Sequence, residues 1–192
     1  MRKAEFDRAE VLRSAMQVFQ QKGYSKSTMQ DLVSATGLHP GSLYCAFKNK
    51  RGILMAVADQ YATDKALELE QFFIGKTPLQ GVAAYLQSVI EVCASCAADS
   101  GCLIAKSMNE LAEQDQEIQD LLTDIMSRAE RRVEQAFEQA VANQQIAIQP
   151  DAKSRAQFFM MGIYGLRTYA HTHPSPAVLQ QLADKLFQSI SQ

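Results

Sequence analysis

Residues 27–50 read STMQDLVSATGLHPGSLYCAFKNK, and this stretch decides the fold. Thr28 stands where its side chain can accept the backbone N–H three residues on, and Asp31 sits where the positive end of a helix dipole favours a carboxylate. A helix is expected from there to about Ala35. Thr36-Gly37 breaks the apolar period, Leu38 resumes it, and Pro40 suits a first helical turn, where its missing N–H would be unpaired anyway. A second short helix then runs from about Pro40 to Phe47. Two helices joined by a short Gly-containing turn have the spacing of a helix-turn-helix, whose second helix enters the DNA major groove. Met29, Leu32, Val33, Leu38, Leu43 and Phe47 form its expected core, leaving His39, Gly41, Ser42, Tyr44, Cys45 and Lys48 at or near the exposed side.

Helical periodicity extends in both directions. From Phe6 to Lys22, Val11, Leu12, Ala15, Met16 and Phe19 recur at three- and four-residue spacing, and Gly23 follows where a left-handed cap would sit. After Lys48-Asn49-Lys50, the stripe Ile53, Leu54, Val57, Ala58 and Tyr61 opens a helix running to about Phe73, before the breaker Gly75-Lys76-Thr77-Pro78. Five more helices are expected, at about Leu79 to Cys96, Cys102 to Glu113, Glu117 to Asn143, Asp151 to His171 and Ala177 to Ser189. With no alternating strand signal, the chain reads as all-α, with about nine helices.

The 192 residues include 47% hydrophobic and 21% charged residues with only 9 Gly and 5 Pro, which excludes disorder and collagen-like repeats. The net charge of −2 is unevenly placed. Residues 1–51 hold nine Lys and Arg against four Asp and Glu, or +5, and residues 52–192 hold ten against seventeen, or −7. A basic quarter on an acidic body is expected where one end meets a polyanion. Arg2, Lys3 and Arg8 add sequence-independent attraction to a phosphate backbone. The mixed charges of residues 1–7 give no secretory signal, and the longest apolar run, Phe158 to Leu166, is far below the roughly 20 residues of a membrane span. Four cysteines are too few for a disulfide scaffold, so free thiols in a reducing cytoplasm are expected.

The stretch from Ser27 to Lys50 strongly resembles the DNA-binding signature of the TetR family of transcriptional regulators. The shared elements are a Thr opening the first helix, a Gly turn, Gly41-Ser42-Leu43-Tyr44 in the second helix, an aromatic Phe47, and a Lys opening the next helix. The resemblance implies a helix-turn-helix domain over residues 1–51 and a helical effector-binding and dimerisation domain over residues 52–192. It implies a homodimeric repressor on a pseudo-palindromic double-stranded DNA operator, released by a small-molecule effector, with no cofactor. Thr28, Ser42, Tyr44, Lys48 and Lys50 would contact DNA, Thr28, Ser42, Tyr44 and Lys50 through phosphates, while His39, Pro40, Gly41 and Cys45 would face base edges. The chain departs from the family where His39 replaces the usual Ser and where Cys45-Ala46 replaces bulkier residues.

The same resemblance implies pairing through the last two helices. The wide apolar stretch from Phe158 to Leu166, and Leu179, Leu182, Leu186 and Phe187, fit such a pairing, with burial inside one chain as the competing reading. Phe72, Tyr85, Val89, Met108, Leu111 and Tyr164 are the expected effector-pocket residues, against the alternative that they are ordinary core. Cys93, Cys96 and Cys102 lie within ten residues. Gly101-Cys102-Leu103-Ile104-Ala105-Lys106 is similar to the reactive-cysteine region of oxidant-sensing TetR-type repressors, making a thiol sensor at Cys102 one alternative to a pocket sensor, beside buried inert thiols. One Cys-x-x-Cys without a second pair lacks the ligands of a structural zinc site. A helical adaptor or enzyme with an incidental helix-turn-helix is the reading from another class. It would need a catalytic constellation, and the sequence holds no Gly-rich phosphate loop, His-Glu-x-x-His or nucleophile elbow.

Overall fold

A computed structural model describes residues 6–95 and 102–192. Among these residues there are nine α-helices and no strand: α1 Arg8–Lys26, α2 Met29–Thr36, α3 Pro40–Phe47, α4 Lys50–Gln71, α5 Pro78–Ala94, α6 Leu103–Leu111, α7 Gln116–Ala142, α8 Ala152–Tyr169 and α9 Pro176–Ile190, with a 3-10 turn at Ala170–Thr172. The helix starts are written in the side chains. Asp7 accepts from the amides of Ala9 and Glu10, Thr77 and Gln80 form a reciprocal box at α5, Asp151 caps α8, and Ser175 caps α9 ahead of Pro176. Cys96 and Gly101, and with them part of the expected three-thiol cluster, lie outside the described residues, as do Arg2 and Lys3.

Packing divides the chain into two units, with the boundaries inside α4 and α7. The first takes in the described residues up to Lys65 and Cys102–Ile125; the second takes in residues 66–95 and Met126–Gln192. This division differs from one at residue 51. The physical reason is that α1 packs against both α2 and α6, and Ile53, Leu54, Val57 and Ala58 of α4 are buried.

In the first unit four charged side chains from the second segment, Lys106, Glu110, Asp115 and Glu117, grip the end of α1 and the start of α4. The Lys106 ammonium donates to the carbonyls of Gln20 (2.8 Å) and Gln21 (3.3 Å), acceptors left open where Gly23 breaks the helical backbone and kinks α1. The Glu110 carboxylate accepts from the amides of Tyr24 (3.2 Å) and Ser25 (2.8 Å). Arg51 donates to Asp115 (2.6 and 2.9 Å) and Glu117 (2.6 Å), which raises its pKa and holds the Asp115 carboxyl at about 2. Gly23 lies under the Glu110 carboxylate at φ +77, and a Cβ there would meet Glu110 Oε1 at 2.2 Å.

The second unit has its own core on α5, α7, α8 and α9, centred on fully buried Phe137, Phe159 and Ile163. Gly162 lets α9 come close: a Cβ there would sit 2.4 Å from a Leu186 methyl. Arg155 is only 1% exposed and binds backbone alone, donating to the carbonyls of Pro150 (2.7 Å), Ala147 (3.1 Å), Ile190 and Gln192 (2.8 Å). One guanidinium thereby joins the α7–α8 connection to the end of α9, and burial lowers its pKa.

Gly23→Ala is expected to lower unfolding stability in urea by about 2–3 kcal/mol, since it meets both the left-handed backbone and the carboxylate. In a Glu110→Ala background the same change should cost only about 1 kcal/mol, the backbone part alone. Equal losses in the two backgrounds would show that the carboxylate does not press on this glycine.

Candidate nucleic-acid interface

The helix-turn-helix forms from local signals of the kind its sequence displays. Thr28 Oγ1 accepts the Asp31 amide (3.1 Å), and the Asp31 carboxylate accepts the Thr28 amide (2.9 Å) and hydroxyl (2.9 Å), a reciprocal capping box. Gly37 closes α2 in the left-handed region at φ 66 and returns its amide to Val33. Of the six expected core residues, Leu32, Leu43 and Phe47 are buried, whereas Met29, Val33 and Leu38 are half-buried. The small interior therefore rests on one side chain from α2 and two from α3.

That leaves the opposite face of α3 open. His39, Pro40, Gly41, Ser42, Tyr44, Cys45, Ala46 and Lys48 are all exposed, Tyr44 by 48%. An exposed tyrosine beside small residues makes a helix surface that a groove can approach closely, with a hydroxyl available to phosphate. At the C-terminus of α3, Lys48 turns at φ 68 and donates its amide to the Tyr44 carbonyl (2.8 Å). The Arg8 guanidinium lies 4.8 Å from the Phe47 ring centroid, adding a cation beside that end.

Two of the expected phosphate-holding groups already have work inside the protein. The Thr28 hydroxyl proton goes to Asp31. The half-buried Lys50 ammonium donates to the carbonyls of Tyr24 (2.8 Å) and Ser27 (2.9 Å) and lies 4.3 Å from the Tyr24 ring centroid. Lys50 thus supports the turn that carries α2. Glu110 grips the amides of that turn and was not visible in the sequence motif; only Gly23, a glycine needed in the left-handed region, hinted at a close neighbour. Lys22 was also missed. Its ammonium lies 2.6 Å from Asp31, and with the Thr28 bonds it holds the Asp31 carboxyl at about 2 rather than 3.8.

The expected pocket residues divide between the two units. Phe72, Tyr85, Val89 and Tyr164 belong to the second unit, where Phe72, Tyr85, Phe159 and Phe137 run as a chain of rings with centroids 5.7, 6.1 and 6.3 Å apart. Val89 is in that unit's core, with Tyr85 and Tyr164 packed against it. Met108 and Leu111 are on α6 of the first unit. A cavity of about 150 Å³ in the second unit is lined by Leu69, Glu70, Phe73, Arg132, Gln135, Ala136 and Gln139, none of the six.

Cys102 caps α6 without a side-chain cap bond, is 8% exposed, and lies 3.6 Å from the Tyr61 hydroxyl. Lys106, the cation expected near it, is held by the α1 carbonyls. Cys93 is buried, and burial pushes its thiol pKa up.

The expected dimer stripe divides into buried and exposed residues. Phe159, Met160, Ile163, Leu166, Leu179 and Leu186 are buried within the chain, because α8 and α9 pack on each other and on α5. The apolar residues left exposed are Phe158, Met161 and Tyr169 on α8 and Val178 and Leu182 on α9.

The profile of "Bacterial regulatory proteins, tetR family" matches residues 11–57, and that of "Tetracyclin repressor-like, C-terminal domain" matches residues 78–186. The HTH-type transcriptional repressor ComR of Escherichia coli (strain K12) is 30% identical over 180 residues, covering 93% of this chain and 86% of ComR. The chain belongs to the TetR family of transcriptional regulators. This TetR family member is a DNA-binding regulator, and it is also similar to the transcriptional regulator AcuR of Cereibacter sphaeroides, at 25% identity over 170 residues, 86% of this chain and 78% of AcuR. A solved TetR family regulator, cysteine-substituted CifR complexed with 26 bp double-strand operator DNA, shares the fold at a TM-score of 0.83 and 23% identity, covering 98% of each chain. Among the described residues no helix is long and apolar enough to cross a membrane.

The capping box sets an acid limit. Asp31 has its pKa lowered from 3.8 to about 2, so its contribution to folding is complete above about pH 4 and is lost as the pH falls towards 2. Carboxyl NMR should place the Asp31 midpoint near 2. A midpoint at 3.8 would mean that neither Lys22 nor Thr28 holds the carboxylate in solution.

Proposed function

We propose that this regulator is a homodimeric repressor that occupies a pseudo-palindromic duplex operator and leaves it when a small-molecule effector binds. The observation that carries the DNA reading is the exposed face of α3, with Ser42, Tyr44 and Lys48 for phosphates and His39, Pro40, Gly41 and Cys45 towards base edges. CifR, which shares the fold, is described on double-strand operator DNA. Residues 1–51 carry the DNA-reading function and residues 52–192 the effector and dimer functions, in the cytoplasm.

One helix-turn-helix reads one half-site, so a two-fold dimer reads both. The stripe of Phe158, Met161, Tyr169, Val178 and Leu182 supports pairing through α8 and α9. Gly165 supports it too, since open space surrounds the position of its absent side chain and a partner helix can approach closely there. An effector acts by favouring a dimer whose two recognition helices no longer match the half-site spacing. The aromatic chain of the second unit supports an apolar ring-bearing site, but no arrangement of side chains favours one effector. Buried Cys102 gives the thiol-sensing alternative no support.

Genomic fragments selected by the purified protein should yield a two-fold-related sequence whose binding weakens steeply with salt. Tyr44→Ala and Lys48→Ala should each weaken binding about tenfold, and Lys48→Ala should lower the salt slope by about one. Met161→Glu with Leu182→Glu should sediment as a monomer and lose the operator. A parent chain that is monomeric on its operator, or one that selects no duplex sequence, would overturn the proposal.

A further inference from the structure

We propose that His39 reads a guanine in each operator half-site by donating its Nε2–H to the base N7. This deepens the operator reading above and rests on it. His39 is the N-cap of α3, in extended backbone, and its Nδ1 accepts the Gly41 amide at 3.2 Å. A ring nitrogen that accepts a hydrogen bond carries no proton, so the neutral imidazole keeps its proton on Nε2. The cap thereby fixes two things at once: which nitrogen donates and where the ring points. A Cβ at Gly41 would stand 3.4 Å from Nδ1, in ordinary contact with the ring, so the two residues lie directly against each other.

Nε2 has no partner among the described residues, and the ring is exposed at the leading end of the recognition helix. Its neighbours offer no competitor. Pro40 and Gly41 have no side-chain donor, and the Ser42 hydroxyl is on a one-carbon stem. A single donor separates the bases by the acceptors they present. Guanine places N7 and O6 side by side, so one N–H can be shared between them, whereas adenine offers N7 beside an amino donor and thymine offers O4 beside a methyl group. Outside the bases, a phosphate oxygen is the competing acceptor.

The test uses the full chain and a duplex that it selects from a random-sequence library. His39→Ser retains a good capping residue but is too short to reach a base, so a purely structural role for His39 predicts unchanged binding; helicity and melting temperature confirm its fold. Replacing one guanine per half-site by 7-deazaguanine, which puts C–H in place of N7, should weaken the parent about tenfold and His39→Ser by less than about twofold. Adenine at that position keeps N7 and loses O6, so it should weaken the parent less than 7-deazaguanine does. Three results overturn the proposal: His39→Ser losing as much as the parent at every guanine, a parent insensitive to 7-deazaguanine throughout, or a His39-dependent loss seen only with a methylphosphonate in the backbone, which would make His39 a phosphate contact. If the parent enriches no sequence, the operator reading itself fails and takes this one with it; if it enriches a sequence containing no His39-dependent guanine, this one alone fails.

Discussion

The turn between α1 and α2 is held by opposite charges acting on opposite ends of its peptide groups. Glu110 receives the amides of Tyr24 and Ser25, and Lys50 donates to the carbonyls of Tyr24 and Ser27. Ionised partners make shorter and stronger bonds than neutral ones, so backbone that would otherwise be hydrated is fixed from two sides. Everything downstream inherits that position. Thr28 begins α2 directly after the turn, Leu32 of α2 meets the interior with Leu43 and Phe47 of α3, and the reading face of α3 is whatever remains exposed once those two side chains are buried. The face proposed to meet DNA is therefore placed by contacts that never touch it.

Much of this was legible in the sequence, and the reason is range. The Thr28–Asp31 box, the Gly37 cap and Pro40 at the start of α3 act within four residues, so the residues and their spacing are the whole signal. The same holds for the exposed face from His39 to Lys48, which follows from helical period once Leu43 and Phe47 are placed. Glu110, Lys106 and Asp115 act across 64 to 86 residues, and a single carboxylate or ammonium on a helix surface carries no mark of which backbone group it serves. Lys50 carries a role of the same long-range kind. An ammonium at the start of a helix beside a DNA-binding motif looks available for phosphate, and nothing in the motif shows that two carbonyls of its own chain also take its protons.

The second unit shows a different limit. Helical period separates a buried face from an exposed one only when a helix has one of each. Helix α8 is apolar nearly all round between Phe158 and Leu166, so its pattern could not tell the side facing α9 from the side facing outward. The division became visible through Gly162, which admits Leu186, and through Phe158 and Met161, which are left uncovered. The aromatic residues marked as a pocket are equally ambiguous: Tyr85 joins Phe72 to the buried Phe159, which serves a core and a ligand wall alike.

The two left-handed glycines of the DNA-binding unit are exposed to mutation unequally. Gly37 has open space around its absent side chain, so a mutation to Asn, the residue that best tolerates this backbone, leaves the turn close to intact. Gly23 has a carboxylate where that side chain would go. A substitution at position 37 in this lineage meets the backbone cost alone, whereas one at position 23 must also displace the Glu110 carboxylate from its place over the turn. The glycine inside the recognisable motif is thus the freer of the two, and the one outside it is bound to a partner 87 residues away, a dependency that would surface as paired substitutions rather than as invariance at either site.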